Sequence, residues 1–168
     1  MPSLTLVLGG ARSGKSRLAE ALVTASPAPW LYLATGQAFD AEMHDRIQEH
    51  RARRGPGWET LEAPLELAAA LDAAPQGQPV LVDCLTLWLS NLMLAERDLP
   101  AETDRLLATL ARPHGPWVMV ANEVGQGIVP DNRLARRFRD AAGLLNQRIA
   151  QAADAVTLAV AGLPLKVK

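Results

Sequence analysis

The octapeptide GGARSGKS, residues Gly9, Gly10, Ala11, Arg12, Ser13, Gly14, Lys15 and Ser16, fits the pattern GxxxxGKS. Its surroundings restrict the fold more than any other stretch of the chain. The run before it, LTLVL at 4–8, is short, apolar and bounded by glycine, as a buried parallel strand is. After it, residues 17–23 read as the first turns of a helix rich in Ala and Leu. Strand, glycine loop and helix in that order bring backbone N–H groups and the positive end of a helix to one point, an arrangement that cradles phosphate. Within it Lys15 is the mobile charge that reaches β- and γ-phosphates, and the Ser16 hydroxyl is a ligand for Mg²⁺.

Apolar runs recur along the chain with helical stretches between them, which predicts an α/β fold: a mostly parallel sheet with helices on both faces. Strands are expected at 4–8, 30–34, 80–83, 117–121 and 156–161, and helices at 15–24, 41–54, 65–71, 85–94, 102–111 and 134–153. The breakers between them, such as Pro27, Pro29 and the GPG at 55–57, are too short for a domain linker. A length of 168 residues with 49% hydrophobic content suits one domain spanning 1–168. A net charge of −1 gives no global field that would draw nucleic acid or an anionic membrane. The lone Cys84 excludes an internal disulfide framework and fits a reducing cytosol. No apolar run approaches a membrane span and no leader pattern is present. The expectation is a cytoplasmic protein with no nucleic-acid partner and no membrane insertion.

Open parallel sheets collect ligands beyond the carboxyl ends of their strands. The residues to inspect are therefore 9–16, Thr35 and Gly36, Asp83, and Asn122 with Glu123, whereas the last strand runs into Gly162-Leu163-Pro164. Asp83 ends an apolar run as the second Mg²⁺ carboxylate of phosphate-loop enzymes does, sharing the ion with Ser16. An Asp after a strand is also a common helix cap, but with the phosphate loop upstream the metal role is favoured. The loop from Asn122 to Gly127 is polar and glycine-bearing, which a plain strand-to-helix connection explains. Cys84, Trp88 and Leu92 fall at i, i+4 and i+8, a core stripe. Arg136, Arg137 and Arg139 read as a solvated helix end, or as a contact with a neighbouring subunit.

The segment FDAEMHDRIQEHRARRGPGW at 39–58 is the most unusual. Asp40 can cap a helix on which Arg46, His50, Arg53 and Arg54 share a face. A neutral imidazole among arginines is suited to forming a covalent phosphoramidate with a nucleotide, and the guanidiniums stabilise charge that develops at phosphorus. The competing reading is a solvated basic face whose histidine does nothing. His44 lies off that face, and His114, in a Pro/Gly turn, reads as a surface loop residue.

Taken in order, these blocks resemble the bifunctional adenosylcobinamide kinase / adenosylcobinamide-phosphate guanylyltransferase family of cobalamin biosynthesis. The stretches that carry the resemblance are GGARSGKS, YLATG at 32–36, DAEMHDRIQEHRARR at 40–54, WETLE at 58–62, VLVDCLTLWLSNL at 80–92, NEVGQGIVP at 122–130 and ARRFRDAAGLLNQRIAQAADAV at 135–156. They span essentially the whole chain. The resemblance implies a P-loop, RecA-like fold, assembly as a homotrimer, and GTP (or ATP for the kinase step) with Mg²⁺. It implies that His50 is the guanylylated histidine and that the loop from Asn122 to Gly127 is a substrate or subunit contact. Nucleotide contacts would fall on residues 9–16, Ala34, Thr35, Gly36, Arg51, Ala52, Arg53, Arg54, Glu62 and Asp83. The substrates would be adenosylcobinamide, phosphorylated first, and adenosylcobinamide phosphate, which then takes GMP from the histidine. Gly36 and Gly55 depart from the residues common in that family, where Ala or Ser and Pro stand. The GPG that follows the His50 helix reads as a hinge. Two other functions fit the residues: a kinase alone, or a RecA-type nucleotide-driven module acting on a macromolecule. Balanced charge and the lack of clustered aromatics oppose the second.

Overall fold

The computed structural model describes residues 3–37 and 39–168, with the backbone but not the side chain of Arg46. In chain order the elements are β1 Leu4–Gly9, α1 Lys15–Thr24, β2 Trp30–Ala34, α2 Ala41–Arg53, β3 Trp58–Glu62, α3 Leu67–Asp72, β4 Val80–Asp83, α4 Leu85–Leu94, α5 Leu99–Leu110, β5 Trp117–Asn122, α6 Arg133–Ala152, β6 Ala155–Val160 and β7 Leu163–Lys166. They form one sheet in the order β3-β2-β4-β5-β1-β6-β7. All neighbours run parallel except β7, which returns antiparallel to β6.

The central strands are apolar on both faces because helices cover both. Leu6, Leu33, Val82 and Met119 point into a core completed by Leu71, Trp88, Leu106 and Ile149 from α3, α4, α5 and α6. The alternate residues Val7, Tyr32, Leu81, Val118 and Val120 point the other way, onto Ala19 and Val23 of α1. Side chains alternate along a strand, so Asp83 shares the face of Leu81, and Asn122 that of Val118 and Val120. Both polar strand ends therefore look toward α1. Expectation and structure agree on the stripe Cys84, Trp88 and Leu92, all buried.

Two strands carry no burial signal in the sequence. β3 is largely exposed apart from half-buried Trp58, and β7 is exposed throughout. Each is an outer strand of the sheet. The strand expected at 156–161 ends at Val160, and the chain then turns back: Ala161 at φ 50° and Gly162 at φ 80° form a two-residue hairpin turn. Pro164 is tolerated there because edge strands leave some backbone groups unpaired. Helix α5 starts three residues earlier than expected, capped by Asp98, with Pro100 in a first turn that needs no N–H from it. His114 lies in a loop, as expected, but is half-buried and partnered. Its Nε2 lies 2.8 Å from the Ala74 carbonyl and its ring meets Trp117 edge-on at 4.9 Å. At the end of the GPG segment the Gly57 carbonyl accepts from Trp30 N–H at 2.9 Å, and Gly57 has a φ of +100°.

A buried amide ties the strand ends together. Asn91 of α4 donates from Nδ2 to the carbonyls of Thr35, at 2.7 Å, and Pro64, at 3.0 Å. Asn91→Ala strands both carbonyls and is expected to lower the unfolding free energy in urea by about 2–4 kcal/mol. On the same helix, exposed Leu94→Ala should change it by no more than about 0.5 kcal/mol.

Candidate active site at the carboxyl edge of the sheet

Parallel register lines up the ends of the strands. Gly9 pairs with Asn122, Ala34 with both Asp83 and Glu62, and the phosphate loop leaves β1 beside them. The loop is wound too tightly for side chains at two places. A Cβ on Gly9 would collide with Ser13 Oγ, and one on Gly14, at φ +90°, would lie 2.9 Å from Gly162 Cα. Gly162 N–H also donates to the Ser13 carbonyl at 2.8 Å, so the β6–β7 turn braces the loop. Helix α1 opens with no side-chain cap and no acidic residue in its first turn. Its first N–H groups and dipole are thus left for an anion. Lys15 curls back over the loop, with Nζ 3.3 Å from the Gly10 carbonyl.

A cavity of about 280 Å³ opens beyond Lys15 and Ser16 and brings together His50, Arg51, Arg54, Glu62, Asp83 and Asn122. Three cations, Lys15, Arg51 and Arg54, face two carboxylates, an imbalance that suits a polyanion. His50 Nδ1, Arg54 Nη1 and Asn122 Oδ1 are buried with no hydrogen-bond partner, as groups kept for a ligand are. Ala34 and Gly36 line the wall, where a Cβ on Gly36 would meet Leu87 Cδ1 at an ordinary 3.4 Å.

The inward face of α2 differs from the one its charges suggest. Met43, Ile47, His50, Arg51 and Arg54 line the cavity, a stripe at helical spacing. Arg53 turns away and pairs with Glu20 of α1 at 2.9 Å, and Ala52 is exposed. Arg46, expected on the same face, has its side chain outside the described residues. Arg54 lies over the Tyr32 ring, 3.5 Å from its centroid, and Arg51 approaches Glu62 at 3.4 Å. Both pairs hold a guanidinium at the mouth of the cavity.

Thr35 does not reach the cavity. It is buried, its hydroxyl donates to the Cys84 carbonyl at 2.7 Å and accepts from Cys84 N–H at 2.9 Å, and so it clasps β2 to the start of α4. Gly10, Ala11, Arg12 and Ser13 line a separate surface hollow with Glu123 and the end of β6.

Asp83 accepts from the Tyr32 hydroxyl at 2.8 Å through Oδ2. Burial, then the charge of Asp83, raises the Tyr32 pKa far above its ordinary value, so the phenol stays a donor. Cys84 is pushed up to about 11, first by burial and then by Asp83, which keeps its thiol neutral and unreactive near pH 7. Among the described residues no group of three or more His, Cys, Asp or Glu could cage a metal. A hydroxyl and one carboxylate in a phosphate-binding cavity instead fit Mg²⁺, which keeps several waters and takes its remaining ligands from phosphate. Tyr32, Met43, Ile47 and Leu87 were not expected in the site from the sequence. The i, i+4 pair Met43 and Ile47 is the one signal that could have found them.

Solved structures of similar shape support the fold alone. The chain superposes on an ATPase of the type III secretion system of pathogenic bacteria with a TM-score of 0.59 and 12% identity, over 97% of this chain and 56% of that one. Another match, a structural study of Project ID PH0250 from Pyrococcus horikoshii OT3, has a TM-score of 0.53 and 10% identity over 98% of this chain and 85% of that one. Likeness in sequence is far closer. The bifunctional adenosylcobalamin biosynthesis protein CobP of Pseudomonas aeruginosa is 52% identical over 97% of this chain and 96% of its own length. The bifunctional adenosylcobalamin biosynthesis protein CobU of Salmonella typhimurium is 44% identical over 98% of this chain and 99% of its own. A family profile described as cobinamide kinase / cobinamide phosphate guanyltransferase matches residues 5–167, and with these relatives it establishes that the chain belongs to that family.

Proposed function

We propose that this transferase runs two reactions in one domain, through one nucleotide cavity. In the first, the γ-phosphoryl group of GTP or ATP passes to the hydroxyl of adenosylcobinamide. In the second, the His50 imidazole attacks the α-phosphorus of GTP. The N–P bond forms as the bridge to the β-phosphate breaks, and pyrophosphate leaves with the electron pair. A phosphate oxygen of adenosylcobinamide phosphate then takes the GMP from His50, giving adenosylcobinamide-GDP. The observation that carries this reading is that His50 lines the same cavity as Lys15 and Ser16, with a buried, unpartnered Nδ1. A histidine on a merely solvated face would have no reason to be there.

Each residue has work that follows from its chemistry. The loop N–H groups and Lys15 bind the phosphates, and positioning with charge stabilisation is what phosphoryl transfer asks of a protein. Arg51 and Arg54 meet the charge that grows on phosphorus when His50 attacks. Tyr32 fixes the orientation of Asp83, which with Ser16 would hold Mg²⁺. When bound, the ion neutralises phosphate charge in both steps. The protein is read as cytoplasmic and homotrimeric. Ile128, Val129 and Leu134, exposed on one segment, are the kind of apolar surface that assembly covers.

Three outcomes test this reading. After incubation with Mg²⁺ and α-labelled GTP, denatured wild type should retain label that resists base and is lost in acid, and His50→Ala should retain none. Folded, GTP-binding wild type without label would leave a kinase only. Lys15→Ala should slow both phosphorylation and self-labelling by at least about 100-fold. Sedimentation should give a trimer that Ile128→Asp with Val129→Asp dissociates, and a wild-type monomer would refute the assembly.

A further inference from the structure

Asn122 is held with more care than a strand end requires. Its N–H donates to Thr86 Oγ1 at 2.7 Å, and its carbonyl accepts from Asn146 Nδ2 at 3.2 Å. Thr86 and Asn146 are both buried. The next N–H, of Glu123, donates to the Gly9 carbonyl at 3.0 Å, which fastens the same backbone to the root of the phosphate loop. The Asn122 side chain takes no such partner: Oδ1 is buried and unbonded, in the wall of the cavity shared with Lys15, Ser16 and Asp83. Two buried side chains thus fix the backbone of a residue whose own amide is left unused. Such an orphan lowers stability and persists where a ligand satisfies it.

The other polar groups of the cavity already have work. Asp83 is bonded to Tyr32 and would share a metal ion with Ser16. Glu62 is paired with Arg51. His50 is the nucleophile of the second reaction. Phosphoryl transfer still needs its attacking hydroxyl aimed along the line of the breaking bond. A neutral amide, with one acceptor oxygen and two donor hydrogens, can do this without adding negative charge beside a triphosphate.

Resting on the two-step reading above, we propose that Asn122 is a catalytic residue of the kinase step and not of guanylyl transfer. Its Oδ1 accepts a hydrogen bond from the attacking acceptor hydroxyl, and its Nδ2 donates to an oxygen of the γ-phosphoryl group. The acceptor O–P bond forms while the bond from the γ-phosphorus to the bridging oxygen breaks. The electron pair leaves on the nucleoside diphosphate and the hydroxyl proton passes to water. The amide takes no proton, so Asn122 alters the rate of this step without altering its dependence on pH.

The test uses wild type, Asn122→Ala and Asn122→Asp, each given adenosylcobinamide and GTP labelled at the γ- or the α-phosphate. Both variants should lose at least about 100-fold in kcat for γ-label transfer, with KM for GTP within about threefold and an unchanged pH profile. Both should keep α-label on His50 at wild-type stoichiometry, which also reports that they fold and bind GTP. Kinase turnover within about threefold of wild type in either variant overturns the proposal, and so does parallel loss of both labels. Wild type that transfers γ-label but never labels His50 would sink the two-step reading. The Asn122 assignment would then still be judged by kcat and KM of the kinase step alone. Wild type that transfers no γ-label removes both.

Discussion

Every chemical feature of this protein depends on the register of its parallel strands. Gly9, Asn122, Asp83, Ala34 and Glu62 meet at one edge because β1, β5, β4, β2 and β3 end level, or nearly so, with one another. A slip of one residue would turn Asp83 and Asn122 onto the opposite face, among the leucines of α3 to α6, and leave apolar residues facing the phosphate loop. The hydrophobic core guards against this, since each central strand is apolar on both sides and packs against different helices on each. Thr35 and Asn91 add a polar clasp where β2 ends, satisfying backbone groups of Thr35, Pro64 and Cys84.

Arginine is distributed by geometry as much as by charge. Three neighbouring arginines leave the end of α2, and each finds a different partner: Glu62 of β3, Glu20 of α1 and the face of Tyr32. The pair on α1 is exposed on the arginine side and contributes little to stability. It lies on the opposite side of α2 from the stripe of Met43, Ile47, His50 and Arg54 that lines the cavity. Tyr32 links this to the other end of the site, carrying Arg54 on its ring and Asp83 on its hydroxyl. One aromatic side chain thus sets the spacing between a cation and an anion that would meet different parts of the same triphosphate.

Much of this was legible in the sequence. The phosphate loop, Asp83 and the central strands announce themselves because glycine, charge and unbroken apolar runs in that order rarely build anything else. The family could be recognised because the diagnostic blocks run from end to end of the chain. What escaped depends on tertiary partners. β3 and β7 lie at the sheet edges and bury too little to leave a period. The partner that takes Arg53 out of the site, Glu20, lies over thirty positions away in the sequence. Thr35 looks like a ligand-binding residue until the backbone of Cys84 takes both functions of its hydroxyl.

The brace between Gly162 and the phosphate loop carries a consequence for how the chain acquires its site. β1 is made before either of its neighbours in the sheet, β5 and β6, and the turn that supports its loop follows β6. While the chain is being synthesised, GGARSGKS therefore emerges long before the strands beside it and the turn that braces it. These pairings close loops of over a hundred residues, which makes them late events in folding. Both sheet neighbours of β1 and the turn that braces its loop come from the last third of the chain, so the loop takes the arrangement described here only when nearly the whole sequence is present.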